Sequence, residues 1–307
     1  MLYEDREEDL NSSPKVVTRP GSTVELEVHE VSLDALSGNY RSRRRVDWIA
    51  TEEPLEIRLR SLNDADNFAA QSVSVTMRTP GNDFELAAGF LFTEGIIRAK
   101  KEIAEITYCI DTKSAPQNYN IVRVTTSTDV AFDPQKLSRN VYTTSSCGVC
   151  GKTSIDLIRT SCSQIQPTGD FSVESSALLR LPMKVRESQR LFSRTGGIHA
   201  AALFDPRGTL LGLREDVGRH NALDKLVGSL LLKGGLPARD TILLVSGRAS
   251  FELVQKAVMA GIPFVAAVGA PSSLAVELAR EFGMTLVGFL RDSKFNLYSG
   301  EARVAVP

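Results

Sequence analysis

From Trp48 onward, apolar and polar residues alternate with a period of two. Leu55-Glu56-Ile57-Arg58-Leu59 and Val73-Ser74-Val75-Thr76-Met77 therefore predict strands with one buried face. The period then lengthens, and Phe84, Ala87, Ala88 and Leu91 follow a helix opening at Asp83. Ile106-Thr107-Tyr108-Cys109-Ile110 and Ile121-Val122-Arg123-Val124 return to strand, so residues 46–140 read as a small β-rich amino-terminal domain. Residues 1–45 carry acidic clusters, Ser, Pro, Gly and the run Arg41-Ser42-Arg43-Arg44-Arg45, with one short alternation over Val24-Glu25-Leu26-Glu27-Val28. They read as a disordered tail whose arginines form a solvated charge block.

Thr143-Thr144-Ser145-Ser146-Cys147-Gly148-Val149-Cys150-Gly151-Lys152 has too little apolar content to pack as an element, which predicts a mobile loop over 141–160. Over 161–307 strands and helices take turns. Ile198–Phe204 and Thr209–Leu213 are joined through Pro206-Arg207-Gly208, and a helix follows with Ala222, Leu223, Leu226, Val227, Leu230 and Leu231 on one face. Strand Ile242–Val245, helix Phe251–Met259, strand Phe264–Val268, helix Leu274–Phe282 and strand Thr285–Leu290 complete the pattern. Continuous apolar strands between amphipathic helices predict an α/β domain built on a parallel sheet covered on both faces.

A chain of 307 residues has room for two such domains, and its net charge of −1 lacks the global footprint of a nucleic-acid binder. The acidic start, Glu4-Asp5-Arg6-Glu7-Glu8-Asp9, is unlike a secretory signal, and no apolar run is long enough to span a bilayer. A cytoplasmic protein is expected. Four cysteines are too sparse for a disulfide framework, so their positions matter more than their number.

The polar segments of the second half all read as points where a strand hands over to a helix. They are Arg214-Glu215-Asp216-Val217-Gly218-Arg219-His220-Asn221, Ser246-Gly247-Arg248-Ala249-Ser250, Gly269-Ala270-Pro271-Ser272-Ser273 and Arg291-Asp292-Ser293-Lys294. Ligands of open α/β sheets bind beyond the carboxyl ends of the strands, so these loops should converge on an anionic, nucleotide-like ligand. Arg219, Arg248, Arg291 and Lys294 offer charge, and Gly247 and Gly269 offer close backbone approach. The plainer reading makes Ser250 and Ser272 helix caps and the glycines turn residues. His199, His220, Glu215, Asp216 and Asp224 are candidate acids or bases, with structural roles equally open. No Walker or dinucleotide fingerprint is present.

Cys147-Gly148-Val149-Cys150 admits structural zinc, thiol–disulfide exchange, or a reactive thiol with an assisting partner. Zinc lacks a second pair, and only Thr153–Ile158 is available as the helix a thioredoxin-like motif requires. Flanking glycines and Lys152 suit a thiolate on a swinging loop. Cys109, in an apolar strand pattern, reads as an inert core residue, and Cys162 is ambiguous.

Taken together, Ser146-Cys147-Gly148-Val149-Cys150-Gly151, Thr195-Gly196-Gly197-Ile198-His199, the string Arg214 to Ala222, Ser246-Gly247-Arg248-Ala249-Ser250 and Pro271-Ser272-Ser273-Leu274-Ala275 resemble the formate dehydrogenase accessory sulfurtransferase (FdhD) family, from about Trp48 onward. The resemblance implies a cytoplasmic homodimer whose carboxy-terminal domain is similar to the cytidine deaminase fold. It also implies a carrier of persulfide sulfur from a cysteine desulfurase to the molybdenum bis(molybdopterin guanine dinucleotide) cofactor of formate dehydrogenase. By position, Cys147 would bear the persulfide and Cys150 would assist. Phe289-Leu290-Arg291-Asp292-Ser293-Lys294 matches the family's cofactor-binding stretch, to which Arg219, His220, Gly247, Arg248 and Ser272 are added to hold the guanine nucleotide moiety. The deaminase zinc signature is missing, so deamination is not implied. Two alternatives stay open: a non-catalytic molybdenum cofactor chaperone, and a thiol–disulfide oxidoreductase. No nucleic acid, membrane or metal site is expected.

Overall fold

The structure, a computed structural model, describes residues 21–34, 38–62, 70–109, 119–127 and 171–306. The alternating segments of the first half form strands β3 (Glu53–Ser61), β4 (Gln71–Arg78), β5 (Ile103–Tyr108) and β6 (Ile121–Thr126), in the order β4-β3-β6-β5. Leu55, Ile57, Leu59, Val122 and Val124 point to one side and are buried there. Helix α1 (Asp83–Thr93) covers them with Leu86, Ala87 and Leu91.

The second half is organised around a six-stranded sheet in the order β13-β12-β11-β10-β8-β9. Its strands are β8 (His199–Phe204), β9 (Leu210–Asp216), β10 (Ile242–Val245), β11 (Phe264–Ala267), β12 (Thr285–Gly288) and β13 (Asn296–Ser299). Only β10, β11 and β12 run parallel, whereas β8, β9 and β13 pair antiparallel with their neighbours. The expected parallel sheet is found in β10, β11 and β12 and the hairpin-like pair in β8 and β9, and the correction is that β8 joins β10, and β13 joins β12, antiparallel. Burial on both faces makes β8 as apolar as a parallel strand, and strand direction leaves no mark on that pattern.

Side chains alternate across this sheet into two cores. Ala201, Leu203, Leu243, Val245, Val265 and Leu286 face α4 (Arg219–Lys233), α5 (Phe251–Met259) and α6 (Ser273–Glu281). On the other face Ala202, Phe204, Leu244, Phe264 and Val287 meet Leu178, Leu181 and Val185 of α2 (Ser175–Ser188). Helix α2 was not among the expected elements; it runs unbroken although Pro182, ordinarily a helix breaker, lies inside it. A short parallel pair, β7 (Val173–Glu174) with β14 (Val304–Ala305), closes this side.

The first core is continuous with that of the amino-terminal sheet, because α1 packs directly on α4. A Cβ on Gly89 would lie 1.8 Å from the Asp224 carbonyl oxygen, and one on Gly228 would lie 1.8 Å from that of Glu85. The two helix backbones therefore touch, which only glycine allows. Arg214 and Glu85 add a bidentate ion pair between β9 and α1, with Nη2 to Oε1 at 2.7 Å.

Within the stretch expected to be a tail, residues 23–33 and 40–45 are strand instead. Strands β1 (Thr23–Leu33) and β2 (Tyr40–Ala50) pair antiparallel from Thr23 opposite Ala50 to Leu33 opposite Tyr40. The arginine run that reads as a solvated block sits across from acids, with Arg43 Nε 2.8 Å from Glu30 and Arg41 2.8 Å from Asp34. Cross-strand charge pairing, invisible in a linear reading, is what the composition conceals. The ribbon meets the main body where the Arg194 guanidinium, on helix α3 (Arg190–Thr195), lies 3.2 Å from the Trp48 ring centroid.

Candidate functional site

At the carboxyl ends of β10, β11 and β12 the chain turns three times, and backbone hydrogen bonds stitch the turns together. Gly269 N donates to Gly247 O at 2.8 Å, Ala249 N to Ala270 O at 3.1 Å, Ser272 N to Ala249 O at 3.0 Å and Phe289 N to Gly269 O at 3.0 Å. A Cβ on Gly269 would lie 2.9 Å from the Gly247 carbonyl oxygen, so glycine is required where these turns cross. Because β8 is antiparallel to β10, its first residue, His199, arrives at the same edge, as does the start of α4. The amino termini of α4, α5 and α6 thus meet the segment 289–294 along one rim, the arrangement the strand-to-helix motifs predict.

Arg219, His199 and Gly247 form the floor. A Cβ on Gly247 would rest 3.6 Å from the His199 ring and 4.0 Å from Arg219 Cδ, so the missing side chain leaves room between them. Arg219 Nε is buried without a hydrogen-bond partner among the described residues. Such a donor is costly unless an acceptor arrives. His199 Nδ1 lies 3.5 Å from the Ser246 hydroxyl, which accepts from Ala200 N at 2.9 Å. His220 Nε2 lies 3.5 Å from the Ser250 hydroxyl and 3.9 Å from Glu252.

Both imidazoles are held neutral. Burial, then the Arg219 charge, lowers the His199 pKa against the pull of Asp216. Burial, with Arg219 and Lys256 adding to it, brings His220 down to about 4, outweighing Glu252 and Glu94. The positive charge of the floor is therefore the permanent one of Arg219.

This sets a pH dependence. Above the ordinary histidine value of 6.5, His220 is neutral in folded and unfolded chains alike, and its contribution to stability is fully present. As pH falls from 6.5 towards about 4, the unfolded chain takes up a proton that the folded one refuses, so stability drops. His199 acts in the same sense. His220→Gln is expected to flatten this decline in urea denaturation series between pH 7 and 4.5, partially because 37% of the His220 side chain is exposed and screened. An unchanged slope would remove His220 from the account.

The remaining predicted residues fall unevenly. Arg248, Ser272, Phe289, Arg291, Asp292, Ser293 and Lys294 are exposed along the rim. Ser272 caps α6, its hydroxyl accepting from Ala275 N at 3.3 Å, whereas Ser250 occupies the cap position of α5 but turns its hydroxyl to His220. Arg291 spends Nη1 on the carbonyls of Val268 and Leu290, at 2.6 and 2.9 Å. Leu290 is completely buried in the second core, so it anchors the turn and does not line the rim.

Asp216, Glu215 and Asp224 prove structural. Asp216 is fully buried, accepts from Gly218 N and Thr79 N, and pairs with Lys225 at 2.6 Å. Glu215 accepts from the Leu191 and Phe192 amides at the start of α3, and Asp224 pairs with Lys256 at 3.0 Å. Ser246, Ser250 and Glu252 were not foreseen as neighbours of the histidines; hydroxyls at helix starts read as caps. Cys109, expected in the core, follows the end of β5 and is half-buried. Cys147, Cys150, Lys152 and Cys162, and the loop expected over 141–160, lie outside the described residues.

The FdhD/NarQ family model matches residues 50–305 of this chain. The chain belongs to the FdhD/NarQ family. Among relatives of this member is the sulfur carrier protein FdhD of Streptomyces avermitilis, 54% identical over 264 residues, covering 85% of this chain and 90% of that protein. The proteins of the same name from Mycobacterium tuberculosis and Sulfolobus acidocaldarius are 45% and 39% identical, covering 85% and 91% of this chain and 92% and 99% of theirs. A crystal structure described as a formate dehydrogenase accessory protein, from Desulfotalea psychrophila, superposes with a TM-score of 0.66 at 26% identity, covering 92% of this chain and 99% of that one. The family match begins at residue 50, so the β1–β2 ribbon lies almost wholly outside it. Among the described residues, no helix is long and apolar enough to cross a membrane.

Proposed function

We propose that this chain is a cytoplasmic sulfur carrier serving formate dehydrogenase. It would take persulfide sulfur from a cysteine desulfurase and deliver it to the molybdenum bis(molybdopterin guanine dinucleotide) cofactor held at the strand-end rim. Family membership and the names of its relatives support the carrier role. The observation that carries the ligand assignment is Arg219: a guanidinium at the start of a 15-residue helix, its Nε buried and without a partner among the described residues, between two imidazoles held neutral. Fixed positive charge beside neutral donors, at the head of a helix, suits a diphosphate.

In the sulfur step the Cys147 thiolate attacks the terminal sulfur of the desulfurase persulfide. A new S–S bond forms at Cys147, and the desulfurase cysteine leaves as its thiolate. Attack by the Cys150 thiolate on Cys147 Sγ then expels that terminal sulfur as sulfide and leaves a Cys147–Cys150 disulfide, which a thiol reductant returns to two thiols.

Two measurements test the halves separately. After incubation with a desulfurase and cysteine, mass spectrometry should find one added sulfur on Cys147, and Cys147→Ala should lose it; wild-type loading of that variant would overturn the carrier role. In calorimetric titration GDP should bind and guanosine should bind far more weakly, with Arg219→Ala lowering GDP affinity about tenfold, the effect of losing a charge-assisted hydrogen bond. Equal affinity of the variant and parent would remove the diphosphate assignment.

A further inference from the structure

The amino-terminal sheet has a second face that none of the foregoing uses. Its inner face is the core built on Leu55, Ile57, Leu59, Val122 and Val124. With a period of two, the opposite face carries Glu56, Arg58 and Arg60 from β3 and Arg123 and Thr125 from β6. Arg58 lies directly across from Arg123, and Arg60 follows two residues along, about 7 Å further on. Three guanidinium groups therefore share one patch.

Their counter-charges are few. Glu56 is engaged by Arg58 at 2.8 and 2.9 Å, and Glu105 stands at the β5 border. Among the described residues Arg123 reaches only the Thr107 hydroxyl, at 3.4 Å. The Nε atoms of Arg60 and Arg123 are buried with no partner among the described residues. Nε and an adjacent Nη form the edge on which a carboxylate binds bidentately. On the same face of the edge strand β4, Val75 stands across from Glu56 and Met77 across from Pro54, 44% and 47% exposed.

We propose that this face docks an extended acidic segment of a partner protein, carboxylates on Arg60 and Arg123 and apolar side chains on Val75 and Met77. Charge complementarity favours an acidic occupant, and Arg60, Arg123 across from Arg58, Val75 across from Glu56 and Met77 across from Pro54 stand at successive two-residue steps, which matches alternate side chains of an extended chain. A single-stranded nucleic acid would need a stacking platform, and this face presents none among the described residues. The nearest ring, Tyr108, is turned inward onto Phe84 with its hydroxyl on Asp83. The site lies apart from the strand-end rim and requires no sulfur chemistry, so it stands or falls independently of the carrier role.

The test is fluorescence anisotropy of a labelled Glu-Ser-Glu-Ser-Val-Ser-Val peptide, whose Glu and Val side chains project from one face when extended, against the full chain. Saturable binding that weakens with added salt is expected, and Arg60→Gln/Arg123→Gln should lower affinity about tenfold. Cys109 supplies a second readout on the unsubstituted chain, because it lies within electrostatic reach of Arg58. Bound peptide should slow its modification by iodoacetamide several-fold, followed by peptide mass spectrometry. Four outcomes would overturn the proposal: no binding, unchanged affinity in a folded double variant, displacement by inorganic phosphate at equal ionic strength, or competition by oligothymidylate with the same arginine dependence. An unprotected Cys109 would place any bound peptide elsewhere.

Discussion

Gly228→Ala is expected to destabilise the protein by at least about 3 kcal/mol, at the upper end of what overpacking costs, and to weaken GDP binding in the same step. The new Cβ would lie 1.8 Å from the Glu85 carbonyl oxygen and 2.8 Å from Gly89 N, so it meets backbone on a facing helix and no rotamer change can relieve it. α1 and α4 must separate, and the apolar core that runs between the two sheets must open with them. α4 begins with Arg219 and His220, so the displacement reaches the rim. Urea denaturation and GDP titration of the same variant measure both effects. A variant within about 0.5 kcal/mol of the parent, the scatter of neutral surface changes, would show that the helices do not touch there.

Lys256→Met should cost about 3–5 kcal/mol, the usual penalty for leaving a buried charge without its partner. Lys256 Nζ donates to Asp224 and Glu94, at 3.1 and 3.0 Å, and to Thr93 at 2.9 Å, joining α5, α4 and the end of α1. Burial opposes the ammonium charge, but the two carboxylates outweigh it and hold the pKa above the ordinary lysine value. Removing the lysine leaves Asp224, 3% exposed, with only the Thr93 hydroxyl at 2.8 Å. A Lys256→Met/Asp224→Leu double variant should recover much of the loss, since the cost lies in the orphaned carboxylate. Lys256 also helps keep His220 neutral, so the single variant should raise the His220 pKa, measurable by NMR titration. A double variant as unstable as the single one, or an unmoved His220, would refute this coupling.

These two networks show where a linear reading runs out. Asp216 lies within, and Asp224 just beyond, the Arg214–Ala222 string that reads as ligand-binding, and in the sequence nothing distinguishes a carboxylate facing solvent from one facing a lysine. Their partners are remote in the chain: Thr79 for Asp216, Thr93 and Lys256 for Asp224. Leu290 likewise belongs to the second core although it sits inside a stretch read as ligand-binding. The basic run Arg41–Arg45 was opaque for the same reason, because its acids lie across a hairpin. By contrast the helices at 219–233, 251–259 and 273–281 and the strands at 242–245, 264–267 and 285–288 were legible within a few residues of their ends. Their burial repeats locally with a fixed period, and local periodicity is what a sequence displays.

The sequence by itself determined the α/β alternation, the placement of polar motifs at strand ends, and the spacing and glycine flanks of Cys147 and Cys150. Each of these depends on neighbours in the chain. Tertiary structure alone decided that β8 and β13 flank the parallel strands β10, β11 and β12 antiparallel, that α1 and α4 meet backbone to backbone at two glycines, and that Arg219 Nε and the Nε atoms of Arg60 and Arg123 stand buried without partners among the described residues. Those depend on which distant groups come within a few ångströms of one another, and there the short-range forces that create a site or spend a charge are settled.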